Sequence, residues 1–249
     1  MARKQHGHQR PLASSDGMHR ATRAAQSSQR AEVPLKTDNH VVTNPREFWQ
    51  LSPHAEHYEQ GRFGDPWGRL YRRAEERAIR RALRPLSRGS RTLDVACGTG
   101  RVTALLVREG FVEVVGSDVS AAMMAVAKRH LPRIEFFQGD VTQRLPVGDK
   151  SFDVVTCIGL LMHLDAAARL AVLKELVRIS RGPIVVQYGV VGAFLRLKSL
   201  ITGTPAGAVR SPVVEAELRD DLRRSGLRER SRFWALRPVS SSVILTLTT

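Results

Sequence analysis

The chain has 249 residues, 42% hydrophobic and 25% charged, enough for one large α/β domain with appendages or two small domains. Its two cysteines, Cys97 and Cys157, exclude a disulfide framework and a zinc-ligand spacing, so a reducing, cytoplasmic setting is expected. The net charge of +15 is unevenly placed: residues 62–91 carry ten Lys/Arg against three acids, whereas residues 92–195 carry eleven against ten. The centre of the chain is therefore nearly neutral. Solvated basic faces are the plainer reading of the flanks, and an anionic partner is the alternative. No apolar run reaches the roughly 18 residues that a membrane-spanning helix needs, and the N-terminal residues lack the apolar core of a secretory leader.

Residues 1–45 combine low hydrophobicity with scattered Ser, Gln, His and Arg, and read as a disordered basic tail. His6 and His8 fall within it and are read as incidental rather than as a metal site. Residues 46–90 are expected to form an N-terminal helical lid. Phe48, Trp49 and Tyr58 supply its first apolar anchors. Asp65 and Pro66 then mark a helix start, a cap followed by a proline in the first position. The helix is expected to run to Leu83, with an apolar stripe of Leu70, Tyr71, Ala74, Ala78, Ile79 and Ala82, and Pro85 ends it. Tyr58 and Tyr71 are read as packing aromatics on the lid side of a pocket.

From Arg91 the chain alternates strand and helix. Strands are expected at 91–96, 111–117, 133–138, 152–158 and 183–188, with two closing strands at 228–236 and 241–248. Helices are expected at 100–109, 120–130, 165–179 and 215–225, the last closed by Gly226. This pattern predicts an α/β fold: a three-layer, doubly wound, mostly parallel seven-stranded sheet ending in an antiparallel pair. Residues 190–225 are expected to include a cover over the pocket. Within them, the apolar segment 190–201 carries two cations, and contact with an anionic membrane surface is its alternative use.

The run Thr92-Leu93-Asp94-Val95-Ala96-Cys97-Gly98-Thr99-Gly100 is a buried strand entering a glycine turn that opens a helix. Such a turn presents backbone N–H groups at a bare helix N-terminus, where a phosphate or carboxylate is held. Three carboxylates mark the ends of three successive strands: Asp94, then Asp118 24 residues later, then Asp140. In an open parallel sheet these ends border the ligand crevice, and the second acid has the spacing that meets a ribose diol. Asp140 is placed to reach an exocyclic amine such as adenine N6. A dinucleotide site wants a third glycine, but Thr103 stands in that place. Asp94 repels a pyrophosphate and favours the ammonium of an amino acid. An adenosine bearing an amino-acid tail and a sulfonium is S-adenosylmethionine.

On these residues the chain resembles the class I S-adenosylmethionine-dependent methyltransferases, particularly the small-molecule type that includes quinone-biosynthesis enzymes. The resemblance rests on Leu93 to Gly100, Gly116-Ser117-Asp118-Val119-Ser120 with Met123 and Ala127, Gly139-Asp140, Leu145-Pro146 and Ser151 to Val155. It implies a Rossmann-like methyltransferase fold over 91–249. It also implies that Asp94, Gly98 and Gly100 border the methionine moiety, with Cys157 near its end, and that Ala96 and Cys97 belong to the cofactor site. Asp118 would hold the ribose, while Asp140 and the backbone of Val141 read an adenine packed by Val119 and Met123. Ala96 departs from the family, which often has glycine there. His163 follows the fourth strand, where the family's acceptor pocket begins, and is the candidate to orient the acceptor or take its proton.

The expected activity is methyl transfer to a small-molecule or lipid-like acceptor, with no metal. The alternatives are an RNA or protein methyltransferase docking through its basic flanks, a non-catalytic cofactor-binding partner, and a nicotinamide-dependent dehydrogenase. The proline-containing motifs of methyltransferases acting on nucleobases are absent after the fourth strand, where Cys157-Ile158-Gly159-Leu160 stands. A nucleic-acid partner is accordingly not favoured.

Overall fold

The computed structural model describes residues 58–191, 213–237 and 240–249. The predicted tail at 1–45, the anchors Phe48 and Trp49 and the segment 192–212 lie outside the described residues. A short helix, α1 (Tyr58–Phe63), precedes α2 (Pro66–Leu83). Asp65 caps α2 as its sequence position predicts, its carboxylate accepting the Gly68 N–H at 2.7 Å, and Pro66 sits where a missing N–H costs nothing. The buried stripe of α2 differs from the expected one. Leu70 is 44% exposed, and the inward positions are Glu75, Ala78, Ile79, Ala82 and Leu83. Contact with the sheet begins about a turn later than apolar spacing suggests, and it includes a carboxylate, Glu75.

Seven strands form one sheet: β1 (Arg91–Val95), β2 (Glu113–Asp118), β3 (Glu135–Gln138), β4 (Val154–Cys157), β5 (Ile184–Gly189), β6 (Arg228–Trp234) and β7 (Ser242–Thr248). Their order is β3-β2-β1-β4-β5-β7-β6, with β1 to β5 parallel and β7 antiparallel to both β5 and β6. The expected seven-strand count and antiparallel end are therefore present. The third strand starts at Glu135 rather than 133 and the fourth at Val154 rather than 152, where Phe152 makes only a bridge to Ser180.

The helices α3 (Arg101–Arg108), α4 (Ala121–His130), α5 (Ala166–Ile179) and α6 (Glu215–Ser225) fall within a few residues of their expected positions. Side chains alternate across the sheet with the period of two that a pleated strand imposes. On β5, Ile184 and Val186 join one core with Leu173 and Leu176 of α5 and Leu218 and Leu222 of α6. Val185 points the other way, into a core with Ile79 and Leu83 of α2 and Leu105 and Leu106 of α3. The two helical layers are locked to the sheet by residues one position apart.

A buried ion pair ties α5 to α6, Arg169 Nε to Asp221 at 2.8 Å, and the Tyr188 hydroxyl of β5 donates to the same carboxylate at 3.2 Å. Helix α6 thus belongs to the core opposite α2 and α3. Among the described residues, no helix is long and apolar enough to cross a membrane.

Candidate active site: a crevice at the ends of three parallel strands

The order β3-β2-β1-β4-β5 reverses direction between β1 and β4, which leaves a crevice beyond the carboxyl ends of the strands. The turn from β1 to α3 forms its floor. Ala96 takes φ +55, Gly98 +56 and Gly100 +84, so three residues of this turn are left-handed. The Ala96 value explains why glycine is the easier residue there: a Cβ in this conformation costs roughly 1–2 kcal/mol. The turn is pinned to the next strand, with Cys97 N–H donating to the Ser117 carbonyl at 3.0 Å and Gly98 N–H donating to Asp118 Oδ2 at 2.7 Å. Gly100 caps α3 without any side-chain hydrogen bond, which leaves the bare helix start that the sequence predicts. A Cβ on Gly100 would stand 3.1 Å from Ala127 Cβ and 3.2 Å from Leu131 Cδ1. Its role is to let α4 approach, and it does not itself line the crevice.

The three acids converge on the crevice as the strand count predicts: Asp94, Asp118 and Asp140 all line it. Their surroundings differ. Asp94 is 1% exposed, and its two oxygens accept the hydroxyls of Thr103 and Thr156, each at 2.7 Å. Burial pushes its carboxyl up to about 6, against the pull of those two hydroxyls and of Arg101. Thr103, which stands where a dinucleotide site has glycine, thus holds Asp94 in place together with Thr156. Asp118 accepts Ser120 N–H at 2.9 Å as well as Gly98 N–H. Burial raises it too, opposed by these backbone N–H groups. Each oxygen of Asp118 has one backbone bond and keeps a second acceptor site for a ligand hydroxyl. Asp140 accepts the N–H and the hydroxyl of Thr142, at 2.9 and 2.7 Å.

Val119, Met123 and Val141 supply apolar walls, with Ile158 and Leu160 after β4 on the other side. Ala96, Cys97 and Gly98 also line the crevice. The Cys97 thiol is pushed well above its ordinary range by burial and by the nearby Asp94, so it is an inert wall.

Besides Gly100, two expected positions are placed elsewhere. Cys157 is fully buried in the core with Val95 and Val186, because β4 turns this side chain into the layer facing α5. Its thiol is likewise raised by burial. His163 ends a single 3₁₀ turn, Leu161–His163, and does not line the crevice, because that turn carries it past Leu160.

The outer wall was not predicted residue by residue. Glu59 and Arg62 of α1 and Arg101 of α3 line it, and the Thr99 hydroxyl donates to Glu59 at 3.0 Å. Behind them stands Glu75 of α2, fully buried. Arg101 reaches it at 2.7 Å and Arg62 at 3.9 Å, while the Gln187 amide donates to it at 2.6 Å and the Tyr71 hydroxyl at 3.2 Å. Burial alone would raise Glu75, but Arg101, then Arg62, and the two hydrogen bonds prevail and hold it below the ordinary carboxylate range. Burial, then the Glu75 charge, pushes Tyr71 up to about 12. The one sequence cue for this wall was a Glu on the inward side of an otherwise apolar helical stripe.

A parallel sheet in this order, closed by an antiparallel β7 and bearing three acids around a glycine turn, defines the class I methyltransferase fold. Residues 92–182 match the profile of a family described as a methyltransferase domain. Over 113 residues it is 43% identical to a demethylmenaquinone methyltransferase of Beutenbergia cavernae, covering 45% of this chain and 43% of that protein. Over 130 residues it is 32% identical to a ubiquinone biosynthesis O-methyltransferase of Hahella chejuensis, covering 47% of this chain and 54% of that protein. The match thus spans about half the length of these relatives, or less. Among solved structures, the magnesium protoporphyrin IX methyltransferase of Synechocystis PCC 6803 with bound SAH superposes with a TM-score of 0.65 at 19% identity. It covers 81% of this chain and 96% of that one.

Proposed function

We propose that this chain transfers a methyl group from S-adenosylmethionine to a small-molecule or lipid-like acceptor. The observation that carries this reading is the convergence of Asp94, Asp118 and Asp140 on one crevice beside an uncapped helix start. The residues fit the cofactor part by part. Asp118 has acceptor sites left for the two ribose hydroxyls, and Val119, Met123 and Val141 suit the faces and edge of an adenine beside Asp140. At the other end, Asp94 provides a negative charge for an ammonium, and Arg62 and Arg101 provide guanidiniums for a carboxylate. The bound cofactor supplies an electrophilic methyl carbon on a sulfonium.

The chain's own part is then to hold and to exclude. Methyl transfer is an in-line displacement with a good leaving group, so rate enhancement comes largely from fixing the acceptor against the methyl carbon in a dry pocket. Ile158 and Leu160 give that pocket an apolar side, and the α1 residues Glu59 and Arg62 close it on the other. His163 receives no step, because it stands outside the crevice wall. The buried, unpaired thiols of Cys97 and Cys157 support a reducing, cytoplasmic setting.

The test is a metabolite extract incubated with methyl-labelled S-adenosylmethionine and either the wild-type chain or Asp118→Ala. A labelled small molecule formed by the wild type and strongly reduced with Asp118→Ala is the expected result. Intact S-adenosylhomocysteine binding with no labelled product from any extract would point instead to a non-catalytic cofactor-binding protein.

A further inference from the structure

Away from the crevice, the outward face of α2 concentrates charge. Opposite its buried stripe the helix turns Arg69, Arg73, Arg77, Arg80, Arg81 and Arg84 to solvent. No acid on α2 is exposed among them: Glu76 is half-buried and turned towards Arg72 and Arg80. Arg73, Arg77, Arg81 and Arg84 make no ion pair with another described residue. Beside them lies a groove of about 480 Å³, in which Arg69, Arg72, Arg73, Arg80 and Arg108 surround Phe63, with only Glu59 and Glu76 for counter-charge.

The start of α2 and the end of α3 carry the exposed large apolar side chains of the described residues: Trp67 at 75%, Leu70 at 44%, Val107 at 39% and Val112 at 74%. Trp67 and Leu70 belong to the first turns of α2. Val107 and Val112 flank the end of α3, which is tied to α2 and the residues after it by Arg80–Glu109 at 2.8 Å and by Val112 N–H donating to the Arg88 carbonyl at 3.1 Å.

We propose that this face docks on an anionic phospholipid bilayer. Arginines alone would suit any polyphosphate, so the apolar residues decide. Trp67 is the one ring among them on which a nucleobase could stack, whereas Leu70, Val107 and Val112 are aliphatic and offer none. A bilayer interface accepts both halves of the surface, guanidiniums at the headgroup phosphates and Trp and aliphatic side chains at the acyl boundary. The inner face of the same helix carries Glu75, which holds Arg101 and Arg62 at the crevice wall. The crevice therefore stands about one helix diameter, ~10–12 Å, from the docked surface. Delivery of a lipid-like acceptor follows only if the methyl-transfer reading is right, whereas the docking does not depend on it.

The test is co-sedimentation of the full chain with vesicles of phosphatidylcholine, with and without phosphatidylglycerol. Binding is expected only with phosphatidylglycerol, weakening steeply as salt rises. The triple variant Arg73→Glu, Arg77→Glu, Arg81→Glu should lower partitioning by roughly a hundredfold or more, at about fivefold per arginine lost. The double variant Trp67→Ser, Leu70→Ser should lower it roughly tenfold while keeping the salt dependence. Unchanged thermal melting would show that both variants are folded. Failure of the wild type to bind phosphatidylglycerol vesicles overturns the proposal. So does a single-stranded RNA that displaces the vesicles while Trp67→Ser, Leu70→Ser leaves vesicle binding untouched, because the surface would then belong to nucleic acid.

Discussion

The inner wall of the crevice, from Ala96 to Val141, is held by short-range hydrogen bonds between neighbouring strand ends: Cys97 to Ser117, Gly98 to Asp118, and Asp94 to Thr103 and Thr156. On the outer wall Glu59 is held by Thr99 and Arg72, whereas Arg62 and Arg101 depend on one buried carboxylate, Glu75 of α2. The inner wall is redundant, because each acid has several partners and none is the sole counter-charge of another group. The outer wall is concentrated. Removing Glu75 takes the shared carboxylate from Arg101 and Arg62 and one of the two close acceptors from the Gln187 amide at once.

That contrast gives the largest expected effect. Glu75→Ala should destabilise the fold by about 3–5 kcal/mol, the usual cost of breaking a buried ion pair by deleting one partner. Urea unfolding followed by circular dichroism measures it. An unchanged midpoint would mean that Arg62 and Arg101 reach solvent without penalty and that the outer wall does not depend on Glu75. Because the Glu75 pKa is held down in the folded state, its stabilisation is present above its unfolded value, near 4.5, and is lost as pH falls through the folded one.

On the inner wall the effects should be smaller and should fall on binding rather than folding. Asp118→Ala removes the ribose partner and the Gly98 tie, and should weaken S-adenosylhomocysteine binding by about 1–3 kcal/mol. Calorimetry at constant pH reads this directly, and an unchanged affinity would take Asp118 out of the site.

Asp94 makes the inner wall pH-sensitive. With its carboxyl raised to about 6, it is largely protonated at pH 5 and ionised at pH 7. If the ionised form is the one that receives the ligand ammonium, S-adenosylhomocysteine affinity should rise about tenfold over that span. In Asp94→Asn that rise should disappear. The ligand-free protein should show the opposite trend. The raised folded pKa favours the protonated native state, so the Asp94 contribution to stability is full below about 4 and is lost as pH rises through about 6. Opposite slopes for stability and for binding would mark Asp94 as the cause. The smallest effect belongs to Ala96→Gly, which should stabilise the turn by up to about 1 kcal/mol by relieving its left-handed φ, visible as a slightly higher melting temperature.

The same division decides what the sequence made legible. The sheet, its antiparallel end, the Asp65 cap, the uncapped glycine turn and the three acids were readable because each is written in a few consecutive residues. The acids could be placed together because strand alternation fixes where successive strand ends meet. The outer wall was not readable. Glu75 contacts Arg101 26 positions away and Gln187 112 positions away, and nothing local separates a buried glutamate from a solvated one. Apolar spacing also misplaced Leu70, since it reports which residues share a helical face but not where along the helix the sheet begins. Cys157 ends the right strand and His163 follows it, but the facing of β4 and the 3₁₀ turn after it, which period and composition leave open, carry them away from the crevice.

The central claim is that the crevice takes an adenosine with an amino-acid tail rather than a dinucleotide. Titration calorimetry of the full chain with S-adenosylhomocysteine and, separately, with NAD tests it most directly. Saturable binding of S-adenosylhomocysteine with no heat from NAD is the predicted result. Binding of NAD without S-adenosylhomocysteine would contradict it.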